Sequence, residues 1–515
     1  MTRLEDADDL VKLVTRAAEL WPDRTAWVFD ATTERITFAG VDHLSSMLAM
    51  GLRHIGVEPG DRVAVMLRNE REFPLIWLAL AKLGAILVPI NVNYREFDGA
   101  HVLDHSGARF AVAADEFVEL LTKIAQETGI ERVLTVNDLH QAAQEAPRWT
   151  EFSTEAERPV NIQYTSGTTG APKGCVLPNR YWTTLAIGLA AGFPSVGEDD
   201  VLLTAQPFHY IDPQWNVALG LAAGATLVVV DRFHPSTFWA KVREHEVTWF
   251  YCLGLMPTLL LRLPETPEDK QHNVRAICAS AIPRELHAEL ETRWGVPWFE
   301  AFGMTETGGD IRMSEEDHDE LVGTGCIGRP TRDREVIIAD PEGKPLPRGE
   351  TGELLIRGIG LMHGYHDDPE ATAKAFSGGW FHTGDLASMD ADGRVYYAGR
   401  TKDMIRRSGE NVSADEVERA LLSHPSVRLA AVIAVPDELR GEEIKAYVVL
   451  NGESLSPEEL AGFCAEKLAY FKVPRYWAFA GTLPMTPSER VAKGELRKAA
   501  DLLADTYDRV DARWR

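Results

Sequence analysis

An α/β fold is what this sequence predicts. It has a large N-terminal domain of doubly wound, mostly parallel sheets that ends in a small barrel-like β subdomain. A small α+β domain follows. Three observations carry the prediction. Short, continuously apolar runs alternate with helical patterns over the first half, as in strands buried on both faces of a parallel sheet. From about Gly325 the chain changes to short strands joined by tight turns. After Gly399 it returns to helices with clear start signals.

In chain order, the turn Pro59-Gly60-Asp61 leads into a strand at Val63–Leu67, and a helical stretch follows around Ile76–Leu83. Further strands are read at Ile86–Val92, Phe110–Ala114 and Arg132–Val136, then at Ala225–Val230, Val247–Leu253 and Val274–Ser280. EVIIAD, ELLIRG and the VYYAG that follows Asp392-Gly393 read as an antiparallel, barrel-like unit. Beyond it, Ser413 with Glu416 and Ser456-Pro457 with Glu459 have capping-box spacing, the second with proline at the first helical position. AAVIAV and IKAYVVL lie between them as core strands. The expected domains are 1–399, with the antiparallel part at about 325–399, and 400–515.

At 515 residues the chain exceeds one simple core, and roughly 100–200 residues per domain gives two to four units. Apolar residues at 45% and charged residues at 25% describe a folded protein, not a disordered one. A net charge of −25 argues against nucleic-acid partners, which require a basic face. An acidic protein still binds a polyanion where it concentrates lysine and arginine locally. Five scattered cysteines without a C-x-x-C pair argue against a disulfide framework or a zinc site. The acidic N-terminus lacks an apolar signal region and no run reaches membrane-spanning length, so no membrane association and a cytoplasmic location are expected.

The stretch YTSGTTGAPKG, Tyr164 to Gly174, is built like a phosphate loop but fails the G-x-x-x-x-G-K-[ST] pattern, because Pro172 precedes Lys173. It is either a phosphate loop of another kind or a polar turn. FGMTE (Phe302–Glu306), HTGD (His382–Asp385), GRTKDMI (Gly399–Ile405) and SGENVS (Ser408–Ser413) each have an ordinary structural reading alone: a helix start, a glycine turn, a solvated face, a capped turn.

In their order and spacing, TSGTTGAPKG, FGMTE, WFHTGD, GRTKDMI and TPSERVAK resemble the adenylate-forming superfamily of acyl-CoA synthetases, peptide-synthetase adenylation domains and luciferases. The resemblance spans essentially the whole chain. It implies activation of a carboxylate by ATP to an acyl-adenylate, with release of pyrophosphate, and displacement of AMP by a thiol. It further implies that Thr165, Ser166, Gly167, Thr168, Thr169, Gly170 and Lys173 wrap the β- and γ-phosphates as a backbone nest. Thr305 would hold the α-phosphate, with Gly303 and Met304 beside it, and Glu306 would bind Mg²⁺. Ser280, Ala281 and Phe302 would border the nucleotide, Phe302 replacing a commoner tyrosine beside adenine. Asp385 and Arg400 would take the ribose. Lys402 falls at the hinge of the mobile domain and Gly409 on the pantetheine tunnel of coenzyme A, with Ser408 where a second glycine is commoner.

One departure stands out. The family's C-terminal motif ends in a lysine that bridges the carboxylate and the α-phosphate; here Arg490 occupies its place. A guanidinium keeps the charge but is a wide fork, not a compact ammonium. Three readings stay open: Arg490 does the lysine's work, adenylation is weakened, or the substrate is unusual. Lys493, an odd offset away, would point to the opposite face of an extended segment.

The acyl pocket is expected at the strand ends, walled by Pro207–Trp215, Tyr251–Pro257 with Gly254, Ser280-Ala281 and Ala301–Gly303. His209 sits at the family's gate position. The FHYID-Q element most resembles crotonobetaine/carnitine-CoA ligases, and Tyr210, Asp212 and Trp215 would suit a quaternary ammonium, or else simply pack. A small or medium carboxylic acid, ATP and coenzyme A are the expected substrates, with Mg²⁺ as cofactor and a homodimer as the expected assembly. Alternatives are a carrier-protein thiol or amine acceptor, a nitrite-activating diazotisation enzyme, and a catalytically weak nucleotide-binding regulatory protein.

Overall fold

A computed structural model describes Leu4 and residues 6–148, 152, 154–165, 172–254, 256–280, 282–407, 410–437, 440–452, 455–486 and 490–515. Three sheets organise them. The first has seven strands, with a parallel centre of Ile86–Pro89, Arg62–Met66, Phe110–Ala113 and Arg132–Thr135. Pro159–Thr165 extends it in parallel, and Lys173–Pro178 returns antiparallel from the glycine-rich stretch. The second has thirteen strands, and its parallel half comprises Thr25–Phe29, Thr226–Val229, Val201–Thr204, Trp249–Cys252, Ala276–Ala279 and Trp298–Met304. The third is built wholly from Met404 onward.

The antiparallel strands after Gly325 are not a separate unit in their pairing. Cys326–Pro330 pairs with Gly308–Arg312, so they extend the second sheet while keeping a small apolar core of their own around Leu354, Ile356 and Val395. Pairing begins again at Met404, where the third sheet encloses a distinct core including Val432, Ala446 and Trp477.

The Ser456–Glu459 capping box forms as read, with Pro457 opening the helix. The Ser413 box does not: Ser413 ends a strand paired with Met404, and its side chain makes no bond to the helix start. Its Oγ instead lies over Gly399, where it would approach an added Cβ to 2.5 Å. Packing against the preceding strand thus displaces the local cap.

A buried polar chain joins the first sheet to the helix Ile211–Ala223. Trp77 Nε1 donates to Asn161 Oδ1 at 2.8 Å, and Asn161 Nδ2 donates to Gln214 Oε1 at 2.8 Å. Gln214 Nε2 donates to the Phe208 carbonyl at 3.0 Å, and Gln163 Nε2 to the His209 carbonyl at 2.8 Å. These bonds satisfy groups that would be costly to bury alone. They also fix the 208–214 segment to the strand that ends at Thr165.

The hairpin of Trp298–Met304 and Gly308–Arg312 is held from below by a second network. Arg334 pairs with Asp310 at 2.7 Å, both side chains all but fully buried, and donates to the carbonyls of Thr307 and Ile359. The Thr307 hydroxyl closes onto Asp310. Arg334→Met should lower the unfolding free energy by about 3–5 kcal/mol, because it strands a buried carboxylate. In denaturant titration, the Asp310→Asn/Arg334→Met double variant should lose less than the sum of the single losses; simple additivity would contradict the coupling.

Candidate active site

Thr165 and Lys173 face each other in register across the glycine-rich stretch. Ser166, Gly167, Thr168, Thr169 and Gly170, which join them, lie outside the described residues, as do Ala281, Ser408 and Gly409. Lys173 Nζ sits 4.8 Å above the ring of Tyr365, and the Tyr365 hydroxyl donates to Glu306 Oε1 at 3.0 Å. The phosphate-loop lysine and the predicted metal-binding carboxylate therefore converge on one tyrosine. Tyr365 reaches this position because Gly364–Tyr365 pairs with Cys175 and Val176.

Glu306 occupies the turn of the 298–312 hairpin, next to Thr305. The turn is tight: a Cβ on Gly303 would lie 2.1 Å from the Gly308 carbonyl oxygen, so only glycine fits there. Met304 and Thr305 are partly exposed above this contact.

Asp385 lies opposite Arg400 in paired strands and is fully buried. Arg400 Nε contacts Asp385 Oδ1 at 2.8 Å, and the Tyr397 hydroxyl donates to the same oxygen at 3.2 Å. Oδ2 is buried and has no hydrogen-bond partner. Burial pushes the Asp385 carboxyl up to about 6, against the pull of Arg400 and Tyr397. Arg400's charge also reaches Glu306, and the Tyr397 and Phe302 rings face each other at 6.5 Å. A buried carboxylate with one committed and one free oxygen, beside aromatic faces, fits a ribose diol and a purine.

Arg490 donates its backbone N–H to Thr486 Oγ1 at 3.1 Å. It is exposed, and its positive charge favours ionisation of both Asp212 and Asp385. Lys493 takes a different direction. It is mostly buried, and its Nζ contacts Glu418 at 2.8 Å, Asp415 at 3.2 Å and Asp403 at 3.3 Å. Lys402 lies in the short turn Thr401–Asp403, and its side chain is outside the described residues.

Beside the turn, a cavity is lined by Asp212, Trp215, Tyr251, Ala301, Phe302 and Gly303 among the residues expected there. Burial pushes the Asp212 carboxyl up to about 6. Trp215 donates its indole N–H to the Tyr181 hydroxyl at 3.1 Å, leaving its ring as wall. Ser280 lies behind the lining: its Oγ donates to the Ala301 carbonyl at 2.7 Å and contacts the Tyr251 hydroxyl. His209, Tyr210 and Gly254 do not line the cavity. His209 is turned into the core, where burial lowers its pKa to about 3 and keeps the ring neutral. Tyr210 packs on it at 4.4 Å and meets Asn91 at 3.4 Å.

Sequence reading missed Tyr365, Tyr397, Leu185, Trp249, Cys278 and Arg312. Trp249 and Cys278 sit on strands that had been read, where only the register between neighbours shows which side chains meet the cavity. Arg312 follows the FGMTE motif by six residues, with no motif of its own.

The fold and these groups fit an adenosine-nucleotide-dependent enzyme. The model of the AMP-binding enzyme family matches residues 14–366, and that of the AMP-binding enzyme C-terminal domain matches 416–490. The chain belongs to the AMP-binding enzyme family. It is 33% identical over 507 residues to a crotonobetaine/carnitine–CoA ligase of Salmonella paratyphi A, covering 93% of this chain and 97% of that protein. Among solved structures, it is similar to the o-succinylbenzoate CoA synthetase MenE of Bacillus subtilis in complex with its acyl-adenylate intermediate. That match has a TM-score of 0.85 and 28% identity, over 95% of this chain and 98% of the other. ATP-bound MatB of Rhodopseudomonas palustris matches with a TM-score of 0.86 and 27% identity, over 95% and 98%. Among the described residues, no helix is long and apolar enough to cross a membrane.

A carboxyl must be ionised for its oxygens to act only as acceptors. A ribose role for Asp385 therefore predicts that ATP affinity falls as pH drops through about 6. Asp385→Asn should weaken ATP binding by about ten- to a hundredfold and remove that pH dependence, as read by calorimetry across pH. A wild-type profile that stays flat from neutral pH to below 6 would contradict the assignment.

Proposed function

We propose that this enzyme is an AMP-forming acid–CoA ligase for a small or medium carboxylic acid. The observation that carries the reading is Asp385, buried against Arg400 with one oxygen open, while Arg400's charge reaches Glu306 and Tyr365 links Glu306 to Lys173. Full-length similarity to CoA ligases supports coenzyme A as the acceptor.

The proposed chemistry has two displacements. A carboxylate oxygen of the acid attacks the α-phosphorus of ATP, the bond to the bridging oxygen breaks, and pyrophosphate leaves. The thiolate of coenzyme A then attacks the acyl carbonyl, and AMP leaves with the bonding pair. Asp385 and Arg400 orient the ribose, Phe302 offers a face to adenine, and Lys173 sets a point charge against the outer phosphates. Thr305 holds the α-phosphate. Glu306 would hold Mg²⁺, which supplies charge neutralisation on the phosphate oxygens. Arg490, whose charge bears on the cavity at Asp212 and on the ribose carboxylate, stands where the acid and the α-phosphate meet.

The second displacement needs the residues after the boundary near Arg400 to swing about Lys402, bringing the Gly409 segment to the site. Domains of 1–399 and 400–515 belong to this reading, as does work in a reducing cytoplasm by a protein whose five cysteines are buried and free.

The reading is tested by acid-dependent AMP release with coenzyme A as acceptor, scanned over carboxylates, carnitine and nitrite; ATP cleavage to ADP would contradict it. Arg490→Lys separates the steps. Pyrophosphate exchange should change with the altered cation, while thioester formation from a preformed acyl-adenylate should stay within a few-fold. Collapse of that second step would remove Arg490 from the adenylation role.

A further inference from the structure

The acyl cavity contains a cation that no carboxylate of the described protein answers. Arg312 lines the cavity and is only 9% exposed. One branch of its guanidinium is held: Nη1 reaches the Leu189 carbonyl at 3.5 Å and lies against Gly192, where a Cβ would come within 2.8 Å of it. The side chain also lies beside the Cys278 thiol, a weak acceptor. Nη2 is buried and has no partner. The neighbouring buried arginine, Arg334, shows the usual alternative, being paired with Asp310 at 2.7 Å. A buried guanidinium without a counter-charge is costly to fold around unless something else completes it.

The wall around Arg312 is apolar and aromatic, with Leu185, Leu189, Trp249 and Ile311. The cavity's carboxylate, Asp212, forms no ion pair with Arg312, and the cation that acts on it is Arg490. Arg312 pairs in register with Ala301, four residues before Thr305. At about 3.3 Å per residue, about 13 Å of strand separates it from the turn carrying Thr305 and Glu306. Arg312 is therefore distal to the reacting carboxylate, across an apolar spacer.

We propose that Arg312 is a specificity residue that receives a second anionic group, so that the enzyme activates a dicarboxylic acid. One carboxylate enters the adenylation centre, and the other pairs with the free branch of Arg312. This rests on the cavity being the acyl site of the ligase proposed above. It disfavours a betaine, because a distal quaternary ammonium would face a buried guanidinium without an intervening anion.

The test uses the full-length wild type, Arg312→Leu and Arg312→Lys. Substrates are the dicarboxylates succinate through suberate, the matched monocarboxylates butanoate through octanoate, and carnitine. AMP release gives kcat/KM, and thermal denaturation with AMP and each acid reads binding without turnover. In the wild type, at least one dicarboxylate should exceed its monocarboxylate partner by about ten- to a hundredfold. Arg312→Leu should abolish that preference while keeping the rise in Tm caused by AMP, and Arg312→Lys should retain part of the preference. Equal or better use of monocarboxylates or carnitine by the wild type overturns the proposal, as does a dicarboxylate preference that survives in Arg312→Leu. If no acid releases AMP, the ligase reading falls and binding decides this one: stabilisation by a dicarboxylate that is lost in Arg312→Leu upholds it, and no such stabilisation overturns it. Should Arg312→Leu show no AMP-induced rise, the wild-type panel and Arg312→Lys decide.

Discussion

The buried pair of Arg334 and Asp310 is the constraint on which the site depends. It lies under the 298–312 hairpin and ties the Thr307 carbonyl and hydroxyl to one fixed arrangement. The turn above it carries Thr305 and Glu306, the outgoing strand carries Phe302, and the return strand carries Arg312. Gly303 lets the two strands approach closely enough for the turn to form. A charged pair at full burial contributes little net stability compared with an apolar isostere, but it is intolerant of misplacement. Its value here is positional: Thr305, Glu306 and Arg312, with the phosphate, metal and acyl roles proposed for them, are built on one element.

The second organising feature is electrostatic. The chain carries a net charge of −25, yet Lys173, Arg400, Arg490 and Arg312 all border the proposed substrate path. Buried carboxylates accompany these cations, and their burial raises Asp385 and Asp212 to about 6. Cations thus gather along the proposed path within an acidic protein, where the proposed anionic substrates would meet them. Lys493 has a different task. Its three carboxylate partners include Asp403 in the turn that holds Lys402, so it braces that turn rather than facing the cavity.

Much of this was legible in the sequence, for identifiable reasons. Strands such as Phe110–Ala113 and Ala276–Ala279 are buried on both faces, so they appear as unbroken apolar runs, and their parallel pairing followed. Asp385, Arg400, Glu306 and Lys173 sit in motifs whose order along the chain is diagnostic of the family. Tyr365 and Tyr397 were not legible, because they reach the site through pairing between strands distant in sequence. Arg312 shows the same limit: its importance lies in what it lacks, a carboxylate partner and a bond to Nη2, and only the folded neighbourhood reveals that. The Ser413 cap failed because a tertiary contact with Gly399 outweighed a local signal. His209 failed to reach the cavity wall because its segment is anchored through its backbone carbonyl to Gln163, with the ring turned inward.

The central claim is that the acid and the α-phosphate react directly in one site. The most direct measurement follows a heavy-oxygen label from the carboxylates of an acid that supports turnover. The account predicts one labelled oxygen in the released AMP and none in pyrophosphate. Label in inorganic phosphate, with ADP as the nucleotide product, would contradict it.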